Sequence, residues 1–151
     1  MYGKILVPVD GSPTSQQGMD EAIKLAKLTG GSLRLVHIVD DLPFVGGLDV
    51  YAGFAVQLIT AQKDAGEKLL LAARTKVEAA GIAVDTVLVD RPAGRVADRV
   101  IEQARQWGAQ LIVIGTHGRR GVDRVMLGSD AEQIARSAPA PVLLVRSQAT
   151  G

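Results

Sequence analysis

The chain has no cysteine. That absence excludes disulfides, a thiolate nucleophile and thiolate metal ligands, and it permits a reducing compartment. Aromatic residues make up only 3% of the 151 residues, so a core must be assembled from Val, Ile, Leu and Ala. Neither sign of charge dominates: 17 Lys and Arg stand against 16 Asp and Glu, for a formal net charge of +1. A near-neutral balance removes the general electrostatic reason to expect nucleic acid or an anionic membrane as partner. No apolar run approaches the ~18 residues of a membrane span. The opening MYGKILVPVDG is too short in its apolar part for the core of a signal peptide. A soluble, cytoplasmic protein is expected. The two histidines, His37 and His117, lack the acidic neighbours of a convincing metal site.

What the chain does have is 47% hydrophobic residues, enough for the core of one domain, and a regular alternation of strand and helix signals. Ile5–Val9 reads as a short buried strand. Ser12-Pro13 supplies a helix start, Met19, Ala22, Ile23 and Ala26 recur at helical spacing, and Gly30-Gly31 closes that helix. Leu33–Val39 is a second strand. Residues 41–57, rich in glycine with Pro43, read as a long loop. A helix is predicted from Leu58 to Ala80, with Leu69, Ala72, Ala73 and Val77 inward. Ala83–Val89 is a third strand. Val96, Val100, Ala104 and Trp107 mark the next helix, with Trp107 in the core. Leu111–Ile114 is a fourth strand, a further helix runs to Ser137, and Val142–Val145 is a fifth strand.

Such alternation predicts a single doubly wound α/β domain over residues 1–151, with five mainly parallel strands in an order near 3-2-1-4-5 and helices on both faces. The carboxyl ends of all strands then share one edge, where ligands of open α/β sheets bind. Asp10, Val39-Asp40, Asp90 and Gly115 fall on that edge. The stretch GTHGRRGVDRVMLGSDAEQ, Gly115 to Gln133, starts there and holds four glycines and three arginines before turning helical. Glycines followed by a helix N-terminus suit a phosphate. Two familiar phosphate loops are missing. The Gly3-Lys4 pair is followed by Ile5, so there is no Walker A sequence, and the DGSPTS turn lacks G-x-G-x-x-G.

What remains is Gly115-x2-Gly118-x9-Gly128-Ser129. This spacing resembles the nucleotide-binding signature of the ATP-binding universal stress proteins. The opening ILVPVDGS, the second-strand HIVD, GTHG, LGSDAE and the ending PAPVLLVR resemble that family in the same order along nearly the whole chain. The resemblance implies a Rossmann-like homodimer that binds ATP and pairs through Val142–Val145. It implies that the Asp10 carboxylate contacts the ribose, backbone at Val9 and Ile38 frames adenine, and Gly115 passes beneath the ribose. Gly118, Gly128 and Ser129 would surround the phosphates, with N–H groups of Asp130 and Ala131 completing the nest and Arg119 or Arg120 adding charge. Ala131 stands where some members carry a hydroxyl residue. Asp130 sets a carboxylate beside a polyanion, so it must turn away or share a bridging Mg²⁺ or Mn²⁺.

Several of these residues also admit plainer roles. Ser129 and Glu132 fit a capping box. Asp10 fits a brace for the DGS turn. Arg119, Arg120 and Arg124 fit a solvated loop face, His117 a turn-stabilising residue and His37 a satisfied core histidine. The function implied is nucleotide-dependent stress adaptation or signalling. The alternatives are a slow ATPase or phosphotransferase, for which no catalytic base emerges, and a dimeric module that binds no nucleotide.

Overall fold

The computed structural model describes residues 1–39, 52–90, 94–116 and 127–146. Strands β1 (Lys4–Pro8), β2 (Ser32–Ile38), β3 (Val84–Val89), β4 (Leu111–Gly115) and β5 (Val142–Val145) alternate with helices α1 (Pro13–Thr29), α2 (Ala52–Ala79), α3 (Val96–Trp107) and α4 (Ser129–Ser137). The sheet order is β3-β2-β1-β4-β5 and all four pairings are parallel. The doubly wound α/β architecture expected from the alternation is therefore present. Strand limits differ from expectation by about one residue, as hydrogen-bonded boundaries commonly do.

Alternate strand residues feed two cores. Ile5, Val7, Leu33, Leu35 and Val113 join Met19 and Ile23 of α1 and Leu70, Ala73 and Val77 of α2 on one face. Leu6, Val36, Ile112 and Ile114 meet Val100 and Ile101 of α3 and Ile134 of α4 on the other. Full burial of each such side chain contributes about 1.5–3 kcal/mol. Helix α1 starts as its sequence dictates: the Ser12 hydroxyl accepts from the Ser15 N–H and Pro13 occupies the first turn. Gly30 and Gly108 close α1 and α3.

Two expectations need correction. Helix α2 starts at Ala52, not Leu58, so the last part of the expected 41–57 loop is helical. Gly53 does not break the helix, since one exposed glycine costs only about 1 kcal/mol. On the same helix Leu70, not Ala72, faces inward, because the buried stripe runs 66, 70, 73, 77. Trp107 sits at the core margin, packed on the second cluster. The Arg34 guanidinium lies 4.7 Å from its ring centroid and forms a two-bond fork with Asp85, at 2.9 and 2.6 Å. No helix among the described residues is long and apolar enough to cross a membrane.

Candidate functional site at the strand switch point

The direction of winding reverses between β1 and β4, and the two strands separate there. Strand β1 stays paired with β2 as far as Pro8–Val36, and β4 with β5 as far as Gly115–Val145, but the β1–β4 register covers only Ile5–Leu111 and Leu6–Ile112. Pro8 supplies a reason. Val9 donates its N–H to Val36, so alternate residues 5, 7 and 9 face β2, and Pro8 turns toward β4 a nitrogen with no hydrogen to give. In an open α/β sheet this is the place where a crevice forms at the carboxyl edge, here with Val9-Asp10 on one side and Gly115-Thr116 on the other.

Helix N-termini converge on this edge. Asp10 Oδ1 accepts the Ser12 N–H at 2.8 Å, and the Asp10 N–H reaches Ser15 Oγ at 3.1 Å. The bracing role of Asp10 is thus realised, while a carboxylate with about four acceptor sites can serve a second donor as well. Gly11 between them sits at φ 81°, a left-handed turn that favours glycine. Ser12, Thr14, Ser15 and Thr116 are buried hydroxyl residues around the same edge.

Across the crevice the Thr116 N–H is held by the Val145 carbonyl at 3.0 Å, and the Thr116 carbonyl accepts the Gly128 N–H at 2.8 Å. This second bond seats the start of α4 directly at the end of β4. His117, Gly118, Arg119, Arg120 and Arg124 lie outside the described residues. Gly128, the N-cap, has φ −59° and ψ 150°, a conformation open to any residue. Backbone strain therefore does not call for glycine there. The expected capping box is not formed: among the described residues no side chain caps α4, Ser129 is already its first helical residue, and Glu132 pairs instead with Arg136 at 2.8 Å. The Ser129 hydroxyl is exposed, and the N–H groups of Ser129, Asp130 and Ala131 have no acceptor within the helix. Ala131 is buried against the second core, so it has only an amide to offer.

Asp130 turns away from that N-terminus. Its Oδ1 accepts the Ala97 N–H at 3.3 Å, at the start of α3, whose own N-cap Arg95 makes no side-chain cap. A bridging metal is then not required to reconcile Asp130 with a phosphate. Asp130→Ala is expected to cost about 1 kcal/mol, as loss of a cap does, or roughly 2–4 °C in a domain of this size. Asp130→Asn keeps an acceptor and should leave the divalent-cation dependence of nucleotide binding unaltered. Titration calorimetry with and without Mg²⁺ checks this, and a dependence abolished in the Asn variant would restore the metal bridge.

Other edge residues have partners that sequence reasoning did not anticipate. The Val9 carbonyl accepts the Nδ1–H of buried His37 at 2.7 Å, so both backbone polar groups of Val9 are engaged, and its side chain is buried in the first cluster. His37 is the satisfied core histidine expected. Ile38 packs on the second cluster. Asp90 is held by Lys63 at 2.6 Å, and that bond raises the Lys63 pKa above the ordinary lysine value. Gly115 abuts α1: a Cβ there would lie 2.7 Å from the Thr14 carbonyl carbon and oxygen.

The family model of the universal stress protein family matches residues 1–146. The chain belongs to the universal stress protein family. Among its relatives, a universal stress protein of Methanocaldococcus jannaschii is 34% identical over 147 residues, covering 97% of this chain and 83% of that protein. Universal stress protein YxiE of Bacillus subtilis is 30% identical over 151 residues, covering 97% and 100%. The universal stress protein UspA of Lactobacillus plantarum has the same fold, with a TM-score of 0.83, 24% identity and coverage of 96% and 98%. Two further universal stress protein structures share the fold and hold nucleotides. One is in complex with cAMP, with a TM-score of 0.66, 23% identity and coverage of 97% and 98%. The other, from Archaeoglobus fulgidus, is in complex with dAMP, with a TM-score of 0.64, 23% identity and coverage of 95% and 98%.

Proposed function

We propose that this universal stress protein binds ATP in the β1–β4 crevice as a homodimer, and that nucleotide occupancy alters its partners during stress adaptation. The observation that carries this reading is the start of α4. Three amides without helical acceptors open behind a glycine whose backbone has no need to be glycine, and the Thr116–Gly128 bond holds them at the strand switch point. Adenine nucleotides in two structural neighbours support it.

In this arrangement the Asp10 carboxylate receives a ribose hydroxyl. The Val9 and Ile38 region borders the base. Gly128, Ser129 and the amides of Asp130 and Ala131 take the phosphates. Gly118 completes the family's glycine pattern in sequence, and Arg119 and Arg120 beside it add positive charge for the phosphates. A helix dipole contributes only about 0.3–1 kcal/mol, whereas micromolar affinity needs about 8 kcal/mol, so most of the affinity arises from these convergent donors and the base.

Gly128→Leu places a side chain where the phosphate would approach. It is expected to weaken ATP binding at least ~10-fold, a loss of about 1.4 kcal/mol, in a protein with unchanged circular dichroism. Calorimetric affinity equal to that of the parent chain in a folded variant would remove the phosphates from α4.

A further inference from the structure

Strand β3 is an edge of the sheet, and its pairing with β2 fixes which backbone groups turn outward. The Leu33 N–H reaches the Ala83 carbonyl and the Val39 N–H that of Val89. Residues 83, 85, 87 and 89 therefore face β2, while Val84, Thr86 and Leu88 turn their N–H and C=O groups away from the sheet. The side chains of these same three residues lie on the α2 face. Val84 and Leu88 pack on the first cluster, whereas Val87 and Val89 pack on the second.

Helix α2 does not close over this edge. It leaves a groove of about 380 Å³ lined by Glu67, Leu70, Leu71, Arg74, Thr86 and Leu88. Leu70 is buried at its floor, but Leu71 is 64% exposed. Gly66 sets the level of the helix against the strand, since a Cβ there would lie 2.9 Å from Leu88 Cδ1. Glu67 thus stands by the carboxyl end of β3. Leu70 and Leu71 come about 6–7 Å further along the helix, the rise of two strand residues, and so lie level with Thr86. The charges on the rim are unequal. Arg74 is bonded to Glu78 at 2.8 Å, and Lys63, one turn before Glu67, to Asp90 at 2.6 Å. Glu67 is exposed and forms no ion pair among the described residues.

We propose that β3 and this groove take up an extended peptide segment of another protein as an added antiparallel strand. The outward groups of Val84, Thr86 and Leu88 supply the main-chain bonds, and pockets for alternate side chains supply selectivity. One apolar side chain lies over Thr86 between Leu70 and Leu71. Two residues earlier in the peptide, level with Leu88, a Lys or Arg meets Glu67. A second copy of β3 fits less well, because it would bring Thr86 to the central position and leave the apolar walls unfilled. This inference goes beyond the nucleotide reading and does not depend on it.

The probe is a labelled peptide of sequence TTKTLTVT, followed by fluorescence anisotropy. It should bind saturably, and amide exchange at Thr86 and Leu88 should slow in the complex. Replacing its leucine with threonine removes the apolar anchor and should weaken binding at least ~10-fold. Replacing its lysine with glutamate should weaken binding about three- to ten-fold. Glu67→Lys should reverse that charge preference. Leu71→Asp, at an exposed position, should abolish binding in a protein whose circular dichroism is unchanged. Absence of saturation at millimolar peptide overturns the proposal, as does a preference for lysine that persists in Glu67→Lys. Binding without slowed exchange in β3 excludes the added strand. Light scattering that grows with protein concentration and is lost in Leu71→Asp, with no peptide bound, would make a second copy the occupant and overturn the peptide assignment.

Discussion

Gly115→Ala is expected to destabilise the fold by about 1–3 kcal/mol, the usual cost of overpacking a filled site, and to lower Tm by roughly 2–12 °C at 2–4 °C per kcal/mol. The added methyl would lie 2.7 Å from both the carbonyl carbon and oxygen of Thr14, and 3.0 Å from its Cβ. Two of those three atoms are backbone, in the first turn of a helix, and no rotamer change moves them. Gly18 makes the reciprocal approach from α1, with a Cβ position 3.3 Å from the Gly115 nitrogen, so Gly18→Ala should give a smaller loss at the same contact. Differential scanning calorimetry on the apo protein measures both. A Tm for Gly115→Ala within a degree of the parent chain would show that α1 does not press on β4 in this way. The consequence for function is direct. A glycine that the family pattern places beneath a ribose is already required by helix–strand packing, so weaker nucleotide binding in a Gly115 variant does not by itself show contact with the ligand. Gly128, with its ordinary backbone angles, is the cleaner probe.

The same contrast explains what the sequence made legible. Strand order, helix starts such as Ser12-Pro13 and the edge carrying Asp10 and Gly115 follow from local periodicity, caps and the handedness of crossovers, all of which are written in neighbouring residues. Contacts between elements are not. The Asp130 bond to Ala97 spans 33 positions, and the His37 bond to Val9 spans 28. Nothing local to LGSDAE distinguishes a Ser129 capping box from an Asp130 that caps a different helix. Pro8 was visible inside ILVPV, yet its effect depends on which neighbour its nitrogen faces, and that is fixed only by strand parity. Gly66 carries only a weak signal, a glycine on the inward stripe of an otherwise regular helix, because its close approach to His37 and Leu88 is a contact between elements.

Strand β5 is expected to be the centre of a two-fold dimer. Its sequence VLLV carries no charge, and Leu143 and Leu144 are 38% and 37% exposed on opposite faces. Ile112 donates to the Pro141 carbonyl and Thr116 to that of Val145. Residues 141, 143 and 145 therefore face β4, while Val142 and Leu144 turn their N–H and C=O groups outward. An apolar edge of this kind invites pairing. The opposite edge, β3, is guarded: Asp85 is forked to Arg34 and Lys63 reaches Asp90 just beyond it. A second copy offering the same strand antiparallel satisfies the outward groups and covers both leucines, and such a contact is self-complementary. Leu143→Asp would bury an uncompensated charge, a cost of about 3 kcal/mol or more, and should weaken dimerisation at least ~100-fold. Leu144→Pro tests the backbone independently, because it removes an outward N–H without breaking a bond to β4, a position that edge strands tolerate. Light scattering at micromolar concentration should show a dimer for the parent chain and monomer for both variants, with nucleotide affinity changed little. A parent chain that scatters as a monomer would leave β5 an unpaired edge, and a dimer that survives both substitutions would place the two-fold axis on another surface.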